Sequence, residues 1–108
     1  MWLLKTLEGA DRPFTFRILP GNIKTVGRAA RADFVLDAGM VSRIHCRLTA
    51  GAKQLEVLDL DSTNGTFVNG ARVARAVLNE GDRLGIGRVE LTISKSSETG
   101  SSSSPVQS

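Results

Sequence analysis

The sequence predicts an all-β sandwich, and three observations carry that reading. The apolar segments are short and rich in Val, Ile, Leu and Phe, the residues that suit a pleated, half-buried surface. Gly, Asn, Asp or Pro interrupts them about every 8–12 residues, the spacing of a sandwich. Helical periodicity is weak throughout, and only residues 71–78 could pass for a helix.

In chain order, residues 1–7 read as a first strand. Residues 14–18 alternate well and are closed by Pro20-Gly21, a turn pair. Residues 23–26 form a short strand that ends at Gly27. Residues 34–36 form another, after a polar link. Residues 45–49 alternate, and Gly51 starts the turn into residues 55–59, the clearest hairpin of the chain. Residues 66–68 are short and lead into Asn69-Gly70, a strong tight-turn signal. Residues 71–78 contain the good helix formers Ala, Arg and Leu. They are few, lie between Asn-Gly and Gly-Asp, and include Val73 and Val77, so irregular or short extended structure is expected. Residues 83–86 and 89–93 make a final hairpin around Gly87-Arg88, with Val89, Leu91 and Ile93 on one face.

From Ser94 the composition changes to a serine-rich run with one apolar residue, which cannot offset the entropy of ordering. The expected organisation is one folded domain over residues 1–94 and a disordered tail or linker over residues 95–108. A chain of 108 residues is long enough to bury a core without staples. The lone cysteine, Cys46, cannot form an internal disulfide, which fits a reducing, cytoplasmic setting. One histidine and one cysteine leave no structural zinc site, and no metal or cofactor is expected. No apolar run approaches the length of a membrane span, and residues 1–8 are too short and wrongly ordered for a secretory signal. The net charge of +3 comes from ten arginines and four lysines against eleven acids. Arginine is the better shaped partner for phosphate, because its planar fork donates in pairs.

The densest motif is D-L-D-S-T-N-G-T-F-V-N-G, residues 59–70, with Asn-Gly at 64–65 and again at 69–70. Around the first pair, Ser62, Thr63 and Asn64 supply two hydroxyls, an amide and exposed backbone N–H groups. Such neutral donors suit holding an anion rather than cutting a bond. Arg28, after Gly27 at a strand end, and Ser42-Arg43 upstream add charge and a hydroxyl that can donate to phosphate oxygens. His45 and Cys46 are adjacent in a strand, so their side chains point to opposite faces and cannot act as a dyad. His45 is better read as a buried, neutral imidazole pinning the Ser42 loop to the Ser62–Gly65 loop through its two nitrogens. Cys46 is expected to be a small buried hydrophobe. Asp59, Asp61 and Asp82 read as turn carboxylates that accept backbone N–H bonds. Neither a Walker loop nor a complete dinucleotide fingerprint is present.

Gly27-Arg28, Ser42-Arg-Ile-His45, the run of residues 59–66, Val68-Asn-Gly70 and Gly81-Asp82, in this order and spacing, resemble the signature of the forkhead-associated (FHA) domain family over about residues 1–94. The resemblance implies a β-sandwich of about eleven strands in two sheets, whose apical loops bind phosphothreonine in a partner protein. It implies phosphate contacts from Arg28 and Ser42, contacts to phosphate or peptide backbone from Arg43 and Thr63, and main-chain recognition by Asn64. It implies architectural roles for Gly27, His45, Gly65 and Gly70. The implied partner is a phosphothreonine-containing protein, such as a Ser/Thr kinase or its substrate, bound by a monomeric adaptor.

Three other readings compete. A scaffold could use the same sandwich without phosphate. Nucleic-acid binding would call for clustered basic residues with exposed aromatics, whereas Trp2, Phe14, Phe16, Phe34 and Phe67 all fall in strand cores by pattern. An enzyme would need a nucleophile, a base and an orienter, and no such constellation is found.

Overall fold

The structure, a computed structural model, describes residues 1–6 and 13–96. Two expectations reach outside these residues: the end of the first strand at Leu7, and the tail over 97–108. The described residues form eleven strands: β1 (Trp2–Thr6), β2 (Thr15–Ile18), β3 (Ile23–Gly27), β4 (Phe34–Val35), β5 (Cys46–Ala50), β6 (Leu55–Asp59), β7 (Thr66–Val68), β8 (Ala71–Val73), β9 (Arg75–Leu78), β10 (Arg83–Ile86) and β11 (Val89–Lys95). They lie in a six-stranded sheet of order β2-β1-β11-β10-β7-β8 and a five-stranded sheet of order β4-β3-β5-β6-β9. The all-β sandwich of eleven strands in two sheets is thus the architecture of the described residues.

Period-2 alternation places the core. Leu4, Leu48, Val57, Leu84, Leu91 and Ile93 are inward residues of successive strands, and each is fully buried. Burying each such side chain contributes roughly 1.5–3 kcal/mol. Cys46 and Val26 belong to the same cluster. Phe16 of β2 stacks on Phe34 of β4, with centroids 4.3 Å apart and planes 5° from parallel, so one ring pair joins the edges of the two sheets. Phe14, Phe16 and Phe34 pack on the flank of the core, half-buried. Phe67 is also half-buried and covers Gly85. Trp2 alone among the aromatics is fully internal, and its indole N–H donates to the Gly51 carbonyl at 2.9 Å.

Residues 71–78 are extended, but as two strands in different sheets. The Val68↔Ala71 register leaves Asn69 and Gly70 as a two-residue turn. Both have positive φ, 51° and 87°, as a type I′ hairpin requires. β8 therefore returns along β7. Ala74 then carries the chain across to β6, where β9 pairs from Leu55↔Leu78 to Leu58↔Arg75. The Asp59 N–H donates to the Ala74 carbonyl at this crossing. Pairing overrides the helix propensity of Ala, Arg and Leu.

The final strand runs past the boundary expected at residue 94. Lys95 pairs with Trp2, and the Ser96 N–H donates to the Met1 carbonyl at 2.8 Å. Backbone pairing along β1 is indifferent to the polarity of these side chains, so composition alone placed the edge too early. Lys95 also lies over the Trp2 ring and donates to the Ala52 carbonyl.

Topology divides the sandwich into two ends. The β3–β4, β4–β5 and β6–β7 loops meet at one, together with the β10–β11 turn, whose Gly87 sits against the Met40 backbone. The β5–β6 turn, Trp2 and Lys95 lie at the other.

Candidate functional site

Gly27 ends β3 where backbones converge. A Cβ there would lie 2.0 Å from the Arg43 carbonyl oxygen and 2.8 Å from the Ile44 Cα. Only glycine admits this approach. Across it, the Arg28 N–H donates to the Ser42 carbonyl at 2.9 Å and the Ala29 N–H to the Arg43 carbonyl at 3.0 Å. The Gly27 carbonyl accepts from Leu36. Arg28 and Ser42 are thereby held side by side through their backbones, with the Arg28 side chain exposed.

His45 is fully buried. Its Nδ1 accepts the Ser42 N–H at 3.1 Å, so Nε2 carries the ring proton and donates to the Gly65 carbonyl at 2.8 Å. One imidazole thus ties the β4–β5 loop to the β6–β7 loop through its two nitrogens. A proton on Nδ1 would displace the Ser42 N–H. Cys46, next along the chain, points to the core, and burial pushes its thiol up to about 12, so it is inert.

The β6–β7 loop is built on Asp59. Its Oδ1 accepts the hydroxyls of Ser62 at 2.5 Å and Thr66 at 2.7 Å, and its Oδ2 accepts the Ser62 N–H at 3.2 Å. Ser62 Oγ in turn accepts the Gly65 N–H at 3.0 Å. Burial pushes the Asp59 carboxyl up, but the bonds from Ser62 and Thr66 outweigh it and hold the group below the usual aspartate value. Asp61 and Gly65 both take positive φ, 59° and 94°. This interior scaffold leaves Thr63 exposed and Asn64 half-exposed at the loop crest.

At the crest the two loops meet again. The Thr63 N–H donates to Ser42 Oγ at 3.0 Å. With that oxygen accepting, the hydroxyl proton of Ser42 is left to donate. The Asn64 side-chain amide donates to the Met40 carbonyl at 3.0 Å, which leaves its Oδ1 and second N–H for a ligand.

Of the sequence candidates, Arg28, Ser42 and Thr63 are connected by these bonds, and Asn64 is tied to Met40 of the same β4–β5 loop. Arg43 enters the network through its carbonyl, while its side chain is exposed. Gly27, His45 and Gly65 lie beneath the same surface. Gly70 lies apart, at the far end of β7, and serves the turn into β8. Two further groups shape this surface, Asp61 with its left-handed backbone and the Met40 carbonyl that fixes Asn64, and the Arg72 side chain borders it against Gly65. Sequence signals for them are faint, because a carbonyl carries none and Arg72 stands seven residues beyond the loop. Among the described residues no group of His, Cys, Asp and Glu could hold a metal, and no helix is long and apolar enough to cross a membrane.

A two-sheet sandwich presenting hydroxyl, amide and guanidinium donors from converging loops is the frame of a recognition module, and its family follows. The FHA domain family matches residues 24–87, and the chain belongs to it. It is 42% identical over 77 residues to the ABC transporter ATP-binding/permease protein Rv1747 of Mycobacterium tuberculosis, covering 71% of this chain and 9% of the transporter. It is 40% identical over 80 residues to the glycogen accumulation regulator GarA of Mycolicibacterium smegmatis, covering 71% of this chain and 51% of the regulator. The chain thus spans about half of that relative, and far less of the transporter. Among solved structures, the FHA domain of CT664 from Chlamydia trachomatis superposes with a TM-score of 0.82 at 27% identity, covering 89% of this chain and 98% of that one. The FhaA FHA domain, solved in complex with the intracellular domain of Rv3910, gives 0.76 at 32% identity, covering 86% and 99%.

Proposed function

We propose that this domain is a phosphothreonine reader, an adaptor that docks a phosphorylated protein onto its apical loops. The observation that carries the reading is the Ser42 hydroxyl: its oxygen accepts the Thr63 N–H, which leaves its proton to donate, and Ser42 is held through its backbone to Arg28, whose side chain is exposed. A phosphothreonine carries about −1.5 to −2 charges at neutral pH. Arg28 supplies a charge-assisted bond, Ser42 and Thr63 fix the phosphate, Arg43 adds phosphate or backbone contact, and Asn64 bonds the peptide main chain. Threonine is favoured over serine if its methyl enters a small pocket beside the Asn64 loop. One methyl by area contributes about 0.8 kcal/mol, roughly fourfold.

Relatives support the class of ligand. A 32% identical FHA domain was solved in work on phosphothreonine-dependent FHA interactions, and a 28% identical structure, EmbR of Mycobacterium tuberculosis, holds a phosphopeptide. We place the partner in Ser/Thr-kinase signalling, as a kinase or its substrate, on the cytoplasmic side. The domain acts as a binding module with no catalytic step and no cofactor. The test is binding to a phosphothreonine peptide library, with phosphoserine and unphosphorylated libraries in parallel. Arg28→Ala is expected to lower phosphothreonine affinity at least tenfold while leaving the melting temperature unchanged, since charge-assisted bonds contribute roughly 1.5–3 kcal/mol. Wild-type affinity in that variant would place the phosphate elsewhere. Phosphate-independent binding that survives Ser42→Ala would favour a scaffold role.

A further inference from the structure

Resting on the phosphothreonine reading, we propose that Arg72 is a specificity determinant that selects ligands with an acidic side chain flanking the phosphothreonine. Arg72 comes from β8, outside every motif used above. The register Phe67↔Arg72 places it beside β7, one pair away from the start of that strand. Its side chain runs back over Gly65. A Cβ on Gly65 would lie 2.8 Å from Arg72 Nε, 3.1 Å from Cζ and 3.2 Å from Cδ. Gly65 is therefore enclosed between two side chains: its carbonyl is held from within by His45, and Arg72 covers its Cα from outside. Absence of a Cβ lets the guanidinium group settle directly on the loop that carries Asn64.

Arg72 is exposed, and its side chain makes no ion pair or side-chain hydrogen bond among the described residues. The salt bridge found there, Arg75–Glu56, lies on the other sheet. Arg72 thus offers a full fork of donors at the edge of the surface where Asn64 takes the ligand main chain. An arginine in that state matches a carboxylate, or a second phosphate, on a neighbouring ligand residue. An exposed pair of this kind contributes about 0.2–1 kcal/mol, up to roughly fivefold in affinity, and weakens with added salt. It adjusts which phosphothreonine site is chosen without deciding whether phosphate is bound.

The experiment is a set of phosphothreonine peptides in which one Glu, or one Lys, is walked through the four positions on each side of the phosphothreonine in a neutral background, with the unphosphorylated peptides in parallel. Affinities are measured for wild type, Arg72→Gln, Arg72→Glu and Arg28→Ala. Wild type is expected to favour Glu at one position two- to fivefold. Arg72→Gln should abolish that preference while binding the all-neutral phosphopeptide like wild type, which also shows the loop to be intact. Arg72→Glu should invert it, favouring Lys at the same position. If wild type shows no acidic preference, or Arg72→Gln keeps it, the assignment of Arg72 fails while the phosphothreonine reading stands. If wild type ignores phosphate in every peptide, that reading fails and this inference with it.

Discussion

Asp59 concentrates the residue-scale logic of the site. Its two oxygens accept three bonds, so one carboxylate shapes the loop that presents Thr63 and Asn64. Its folded-state pKa lies below the usual value of about 3.9. A depressed carboxylate contributes stability that is fully present above the unfolded pKa and is lost as pH falls through the folded one. Asp33, which accepts the Thr25 N–H and hydroxyl, shifts in the same direction. The melting temperature should therefore hold from neutral pH down to about 4 and fall below it. Asp59→Asn should melt lower at pH 7, by about 1.5–3 kcal/mol of stability, because its amide turns an N–H toward one of the donors. It should also lose part of the acid dependence. Thermal melts of both proteins from pH 7 to 3 check this; parallel curves would remove Asp59 from the acid transition. At this scale much was legible. An aspartate before Ser and Gly declares a turn acceptor, and a single buried histidine between two polar loops implies a tie. The Met40 carbonyl and the Asp61 backbone were not legible, since a main-chain group and a left-handed φ at a non-glycine leave no mark in residue type.

Two glycines separate what elements need from what the site needs. Gly70 provides the second positive φ of the β7–β8 turn, with open space around its Cα. Gly70→Ala should cost about 1–2 kcal/mol through the left-handed backbone alone and leave phosphopeptide affinity of the folded protein intact. Gly27 has a different constraint, a Cβ inside the Arg43 carbonyl. Gly27→Ala must push the Arg43–Ile44 backbone away from β3 and part Arg28 from Ser42. It should lose about 1–3 kcal/mol and also at least tenfold in affinity. Denaturant titration with peptide binding separates the two; equal affinity losses would contradict the distinction. Turn chemistry made the β10–β11 hairpin readable from Gly-Arg, and from Asn-Gly the turn after β7 but not the strand that pairs back along it. The division of residues 71–78 between two sheets was not readable, because it depends on β9 finding β6, a pairing with no local signal.

For the whole molecule, the closing pair is β1 with β11, which run antiparallel from Trp2↔Lys95 to Thr6↔Leu91. Two shortened chains test this pair, the first ending after Ser96. The second, ending after Ile93, gives up the Leu3↔Ser94 and Trp2↔Lys95 pairs and the lysine over Trp2, and should melt several degrees lower. Equal melting of the two would mean that this end of the sheet adds nothing. Sequence alone placed the edge two residues early, because a strand can end in polar residues when its partner continues.

The Met1–Ser96 contact bears on architecture beyond the domain. The Met1 amine donates to the Ser96 carbonyl at 3.2 Å, and the return bond runs from the Ser96 N–H. The first and last described strands therefore meet at their outer ends, and both ends sit a full sandwich length from the loops that carry Arg28, Ser42 and Asn64. A unit wired this way behaves as a cassette. It can be spliced into a host polypeptide like a plug on a short cord, without prying the host apart and with its socket turned outward, whatever lies on either side.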